Sequence, residues 1–123
     1  MISSKLKINP GAFGFSKEQW NAILVIFKKY PELEEVFLFG SRAKGSYKVG
    51  SDVDLAVKGK DFSISTLLGI QSDFEDSTLP YFFDILDIKT IASKELLQHI
   101  REYGIRIYEK LTPSMRTRLR SVD

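Results

Sequence analysis

No cysteine occurs in this chain of 123 residues. Disulfides, thiolate metal sites and a cysteine nucleophile are excluded together. Long apolar runs are also missing. The longest, Ala22 to Phe27, falls far short of the roughly 20 residues that span a bilayer as a helix. The opening MISSKLKINPG has no apolar h-region, so no signal peptide is expected and a cytoplasmic location is. Histidine occurs once, as His99 beside Ile100, and reads as a surface or half-buried residue rather than a catalyst. Charge of either sign is scarcely in excess. The net +2 resides in residues 112–123, where Arg116, Arg118 and Arg120 face only Asp123, and residues 1–111 carry 15 basic and 15 acidic side chains. A basic nucleic-acid-binding domain is therefore not indicated.

What is present is ordinary globular material, 43% hydrophobic and 28% charged, enough for one domain with one core. Ser16 with Gln19 forms a capping box, and Trp20, Ile23, Leu24 and Phe27 follow on one helical face until Tyr30-Pro31 stops it. Trp20 and the phenylalanines read as core. Val36 to Phe39 is a short apolar run suited to a strand covered on both faces. Gly40 to Gly45 is a tight loop or single helical turn, and Asp52 to Val57 a second strand. Ile64, Leu67, Leu68, Gln71 and Phe74 predict a helix, Tyr81 to Ile88 a third strand, and Ser93 caps a last helix carrying Leu96, Leu97, Ile100 and Tyr103. Gly104 is expected to close that helix in the left-handed conformation, with a short edge strand over Ile105 to Tyr108. The first two strands are joined too briefly for a parallel crossover, so they are antiparallel neighbours in a small mixed sheet. The fold class is α/β (α+β). Residues 1–15 are expected as an extension, 16–111 as the domain, and 112–123 as a flexible basic tail.

The chemistry concentrates between Gly40 and Asp84. Gly40 lets backbone approach a phosphate, Ser41 offers a hydroxyl and an amide, and Arg42 and Lys44 are near enough to neutralise a triphosphate. The stretch falls short of a Walker A loop, because Ser46 and Tyr47 stand where Lys and Ser/Thr are required. Asp52 and Asp54, two residues apart, share one strand face, with Cα atoms about 7 Å apart from the strand rise. Carboxylates on that spacing can bridge two Mg²⁺ ions, as two-metal phosphoryl chemistry uses. Asp84, in the apolar run YFFDILDI, is the third candidate, because an unpartnered carboxylate there is costly. It is read as general base and metal ligand. Asp87 falls on the other face and marks a strand end. Tyr47 is a weaker candidate for stacking on a nucleobase.

FGSRAKGSYKVGSDVDLAV, with Gly-Ser, ten residues and then Asp-x-Asp, resembles the signature of the DNA polymerase β-like nucleotidyltransferases. LPYFFDILDI and SKELLQHIREYGIRIYEK resemble their minimal (MNT) branch. The resemblance covers about residues 16–110 and implies a mixed-sheet fold flanked by helices. It also implies Mg²⁺-dependent transfer of NMP, here AMP from ATP, with release of pyrophosphate. Asp52, Asp54 and Asp84 are then catalytic and metal-binding, and Gly40, Ser41, Arg42 and Lys44 nucleotide-binding. It further implies pairing with a helical HEPN toxin, adenylylated on a tyrosine, for which this protein is the antitoxin. The short stretch after the third strand leaves no room for an acceptor-binding helical domain, which favours an acceptor on a second protein. A small acceptor such as an aminoglycoside, or a binding-only antitoxin, are the alternatives.

Overall fold

The computed structural model describes residues 8–110. A four-stranded sheet forms from β1 (Glu35–Phe39), β2 (Val53–Lys58), β3 (Phe83–Asp87) and β4 (Ile105–Glu109), in the order β3-β2-β1-β4. β1 pairs antiparallel with both β2 and β4, while β2 and β3 run parallel. The expected mixed sheet, the antiparallel first pair and the added edge strand are all present. Four helices complete the fold: α1 (Lys17–Lys28), the single turn α2 (Gly40–Lys44), α3 (Ile64–Glu75) and α4 (Lys94–Tyr103).

Alternation along the strands assigns the two faces. Val36, Leu38, Val53, Leu55, Val57, Phe83 and Ile85 point to the side covered by α1 and α3 and form the main core with Phe27, Ile70 and Phe74. Phe74 and Phe83 stack there with ring centroids 3.9 Å apart, each full burial stabilising the fold by roughly 1.5–3 kcal/mol. The opposite face carries Phe39 and Ala56 under Ile100 of α4, with Phe37, Leu86 and Leu96 at its margin. The capping box at Ser16 is made in both directions, Gln19 N–H to the serine hydroxyl at 3.0 Å and Ser16 N–H to the Gln19 side chain at 2.9 Å. Ser93 caps α4 through the N–H of Leu96.

Four expectations need correction. Residues 8–15 are part of the domain: Phe13 and Phe15 are buried in the main core and Ile8 packs against it. The α3 face is displaced, because Thr66, Ile70 and Phe74 are buried whereas Ile64 and Leu68 are 68% and 59% exposed. The third strand is shorter than 81–88, since Tyr81 is drawn away to hydrogen-bond Gly14 and Gln19. Gly104 is extended, not left-handed. Its lack of a side chain serves space, for a Cβ there would lie 2.4 Å from the Ile100 carbonyl oxygen. The basic tail, 112–123, lies outside the described residues.

Candidate active site

The carboxylates gather where β2 and β3 begin and β1 ends. Asp54 is directly opposite Asp84 in the parallel ladder and opposite Phe39 in the antiparallel one. Asp54, Asp84 and Leu86 share the α4 side of the sheet, since their neighbours Val53, Leu55, Phe83 and Ile85 point into the main core. Asp52 precedes β2 rather than opening it, so no ladder holds it. Asp52 and Asp84 are exposed and Asp54 is half-buried.

That gradient sets the electrostatics. Asp54 is pushed above the usual carboxylate range, first by its own burial, then by the charges of Asp84 and Asp52. The desolvation expected at Asp84 therefore falls on Asp54, because Asp84 stands at an open sheet edge beside Phe82, itself 60% exposed. The ion pairs among the described residues, all formed by other acids, leave Asp52, Asp54 and Asp84 without a basic partner. Nor do three His, Cys, Asp or Glu side chains close into a ready-made metal cage among these residues. An open set of hard oxygen donors fits Mg²⁺, which takes one or two carboxylates and fills its shell with water and phosphate oxygens.

Gly40 is the first residue of α2, directly after β1, at φ +74°, and a Cβ on it would lie 2.3 Å from Oδ2 of Asp54. The glycine thus brings bare backbone against the most buried of the three carboxylates. Ser41 follows, half-buried, at the start of α2. Lys44 is exposed, with its ammonium 5.4 Å from the centre of the Tyr103 ring. Tyr103 packs on His99 and His99 on Phe39, so α4 walls the site with aromatic rings on the β1 side. Tyr103, grouped by its helical spacing with Leu96, Leu97 and Ile100, is 52% exposed.

Arg42 is not at this surface. It is 2% exposed, and its guanidinium donates to the carbonyls of Phe13 and Ser51. The expected phosphate contact is thus corrected to an internal one: the donors face inward because Phe15, Tyr47 and Tyr81 close over the cation. Tyr47 is occupied in that cage rather than free for a base. No sequence signal announced this, because Phe13, Phe15 and Tyr81 lie far along the chain from Arg42. Asp87 caps the turn Ile88–Thr90 through the Lys89 N–H, as a strand-end residue should.

Gly40 and Ser41 thus lie beside Asp54 on β2 and Asp84 on β3, with Asp52 just ahead of β2. The chain belongs to the family described as Polymerase beta, Nucleotidyltransferase, whose profile matches residues 21–112. It is 38% identical over 78 residues to a Haemophilus influenzae protein named "Probable protein adenylyltransferase MntA". That match covers 61% of this chain and 66% of the relative, just under two thirds of its length. Among solved structures, a toxin–antitoxin with AMP-PNP superposes with a TM-score of 0.61 at 24% identity, covering 84% of this chain and 90% of that one. A tri-AMPylated Shewanella oneidensis HEPN toxin in complex with MNT antitoxin gives 0.55 at 23%, covering 84% and 77%. These two likenesses establish the fold. Among the described residues no helix is long and apolar enough to cross a membrane.

Proposed function

We propose that this protein transfers AMP from ATP to a hydroxyl of a protein, a tyrosine of a HEPN-type toxin, and thereby acts as its antitoxin. The observation that carries the chemistry is the Asp54–Asp84 pair across one ladder, with the backbone of Gly40 against Asp54. Asp84, which is exposed, takes the proton of the incoming hydroxyl in this reading. The hydroxyl oxygen then bonds to the α-phosphorus as the bond to the β-phosphate oxygen breaks, and pyrophosphate leaves. Asp54 and Asp52, with Asp84, would hold Mg²⁺, which when bound neutralises charge developing on the phosphates. Gly40, Ser41 and Lys44 face the triphosphate.

A protein acceptor is supported by the relatives, which carry an adenylyltransferase name or occur in toxin–antitoxin structures. Two apolar side chains standing in water near Asp52 agree with it. Val49 is fully exposed in the preceding loop, and Phe82, whose carbonyl accepts from the Val53 N–H, is 60% exposed. The test is label transfer from α-³²P-ATP with Mg²⁺ to a co-purified HEPN partner, comparing wild type with Asp54→Asn. Labelled tyrosine that disappears in the variant is the expected result. Transfer that survives Asp54→Asn refutes the site, and binding without any transfer replaces catalysis by occlusion.

A further inference from the structure

Asp54 and Asp84 are held by sheet register, whereas Asp52 is not. The seven residues between α2 and Asp52 include Gly45 and Gly50, both at positive φ. The hydrogen bonds within this loop are local: Ser51 N–H to the Lys48 carbonyl at 3.0 Å, and Lys48 N–H to the Ser51 hydroxyl at 2.8 Å. On its far side Asp52 is tied to the sheet by the Val53 N–H, which donates to the Phe82 carbonyl at 2.9 Å, so what remains to be fixed is the loop side, at Ser51.

Arg42 is built to fix it. Its Nη2 and Nε donate to the Ser51 carbonyl at 2.7 and 3.3 Å, one peptide bond from Asp52, while Nη1 donates to the Phe13 carbonyl at 2.8 Å. The rings of Phe15, Tyr47 and Tyr81 lie 5.1, 5.2 and 4.6 Å from the guanidinium carbon. Tyr81 is itself anchored through its hydroxyl to the Gly14 carbonyl and the Gln19 side chain. Among the described residues no carboxylate pairs with this cation. Among the described residues, carbonyl dipoles and π faces are what compensate this buried charge. A leucine or methionine could fill the volume. Only the planar fork of arginine binds two carbonyls from distant segments at once.

We propose that Arg42 is a positioning residue, fixing the Ser51–Asp52 peptide relative to Gly40 and using residues 13–15 as its anchor. The proposal rests on the acidic site described above. It makes residues 13–15, outside the span the family profile matches, part of what holds that site.

The test is Mn²⁺ binding in the presence of a non-hydrolysable ATP analogue, followed by electron paramagnetic resonance. Wild type is compared with Arg42→Lys, Asp52→Asn, Asp54→Asn and the double variant Arg42→Lys/Asp52→Asn. Lysine keeps the charge in the cage but loses the fork. The expected loss in Mn²⁺ affinity for Arg42→Lys is about 10-fold, the scale for groups that orient a metal ligand. In the double variant the losses do not add, because both act through one carboxylate. Transfer by Arg42→Lys falls in kcat with little change in KM for ATP. Unchanged Mn²⁺ affinity, or additive losses, overturns the positioning role while leaving the acidic site standing. Absence of Asp54-dependent Mn²⁺ binding in wild type overturns both. If Arg42→Lys does not fold by circular dichroism, Tyr47→Leu at the half-buried wall of the cage replaces it. The same non-additivity with Asp52→Asn is then required, and its absence refutes the proposal.

Discussion

Gly40→Ala and Gly45→Ala form a matched pair that separates two roles of glycine. Both positions have left-handed backbone, φ +74° and +79°, which costs a residue with a Cβ about 1–2 kcal/mol. For a domain of this size that corresponds to a fall in Tm of roughly 4–16 °C, from 4–8 °C per kcal/mol. Beyond that shared cost they diverge. At Gly45 nothing lies within 4 Å of the new methyl group. At Gly40 it would meet Asp54 Oδ2 at 2.3 Å, Cγ at 3.1 Å and Cβ at 3.4 Å. Rotating the carboxylate cannot clear a contact that involves Cγ as well, and Asp54 is held between two ladders. The Asp54 carboxylate must swing away from Gly40 or the turn must move, and a misplacement of about 1 Å can cost about 100-fold in rate. Thermal unfolding and label transfer, measured on the same preparations, read both effects. Similar losses of Tm with activity lost only in Gly40→Ala is the expected pattern. A Gly40→Ala protein that folds and transfers at the wild-type rate refutes the assignment of Gly40 as backbone abutting the reacting groups, as does an equal loss of activity in Gly45→Ala.

Asp54→Asn removes a charge that its neighbours oppose. Without metal, the raised pKa of Asp54 means that stability falls as pH rises from the ordinary carboxylate range through its folded value. At pH 7 in EDTA the Asn variant should thus melt slightly higher than wild type, and a lower Tm contradicts the repulsion. Added Mg²⁺ with nucleotide should raise the Tm of wild type but not of Asp54→Asn, read by calorimetry. Tyr30→Phe deletes a 2.6 Å hydrogen bond to Asp73, a carboxylate that also pairs with Lys29 at 3.0 Å. It should cost about 1 kcal/mol, after allowance for partial exposure. Tyr30 is pushed up to about 12 by burial and then by Asp73. Its contribution is therefore present below pH 10 and lost as pH rises toward 12, so wild type and Tyr30→Phe should converge in alkaline melts. Asp73 is lowered, chiefly by that hydrogen bond, so its contribution is lost as pH falls below the ordinary carboxylate range, and acid titration of stability checks it. Ser16→Ala should lose about 1 kcal/mol in urea unfolding through the N-cap alone, with transfer unchanged.

Local signals carried much of this architecture. The Ser16 and Ser93 caps, the brief connection from Phe39 to Val53 and the Gly40-Ser41 to Asp52-x-Asp54 spacing depend on neighbours in sequence, and each led to the right element. Side-chain alternation on β2 and β3 then put Asp54 and Asp84 together. What could not be read depends on partners far along the chain. Arg42 looked like a phosphate ligand because its short-range context is a glycine-rich loop, but Phe13, Phe15 and Tyr81 decide where it points. α3 has apolar residues around much of its circumference, so periodicity alone could not choose between the Ile64–Leu68 and Ile70–Phe74 faces. The contacts of α1 and β3 chose. Gly104 could be foreseen as a helix end, but its clash with the Ile100 carbonyl depends on how β4 leaves.

The placement of β4 has a temporal consequence. β1 lies inside the sheet, yet one of its two hydrogen-bonding edges is satisfied only by Ile105–Glu109, at the far end of the described chain. During synthesis, Gly40, Asp52, Asp54 and Asp84 all leave the ribosome before that strand does. Until it arrives, β1 offers a bare edge to any passing strand. Docking of α4 and β4 is a long-range closure, the slow kind, and it covers Phe39 beside the carboxylates. The nascent chain thus carries these carboxylates for a time without the strand that completes the sheet around β1, the last strand among the described residues.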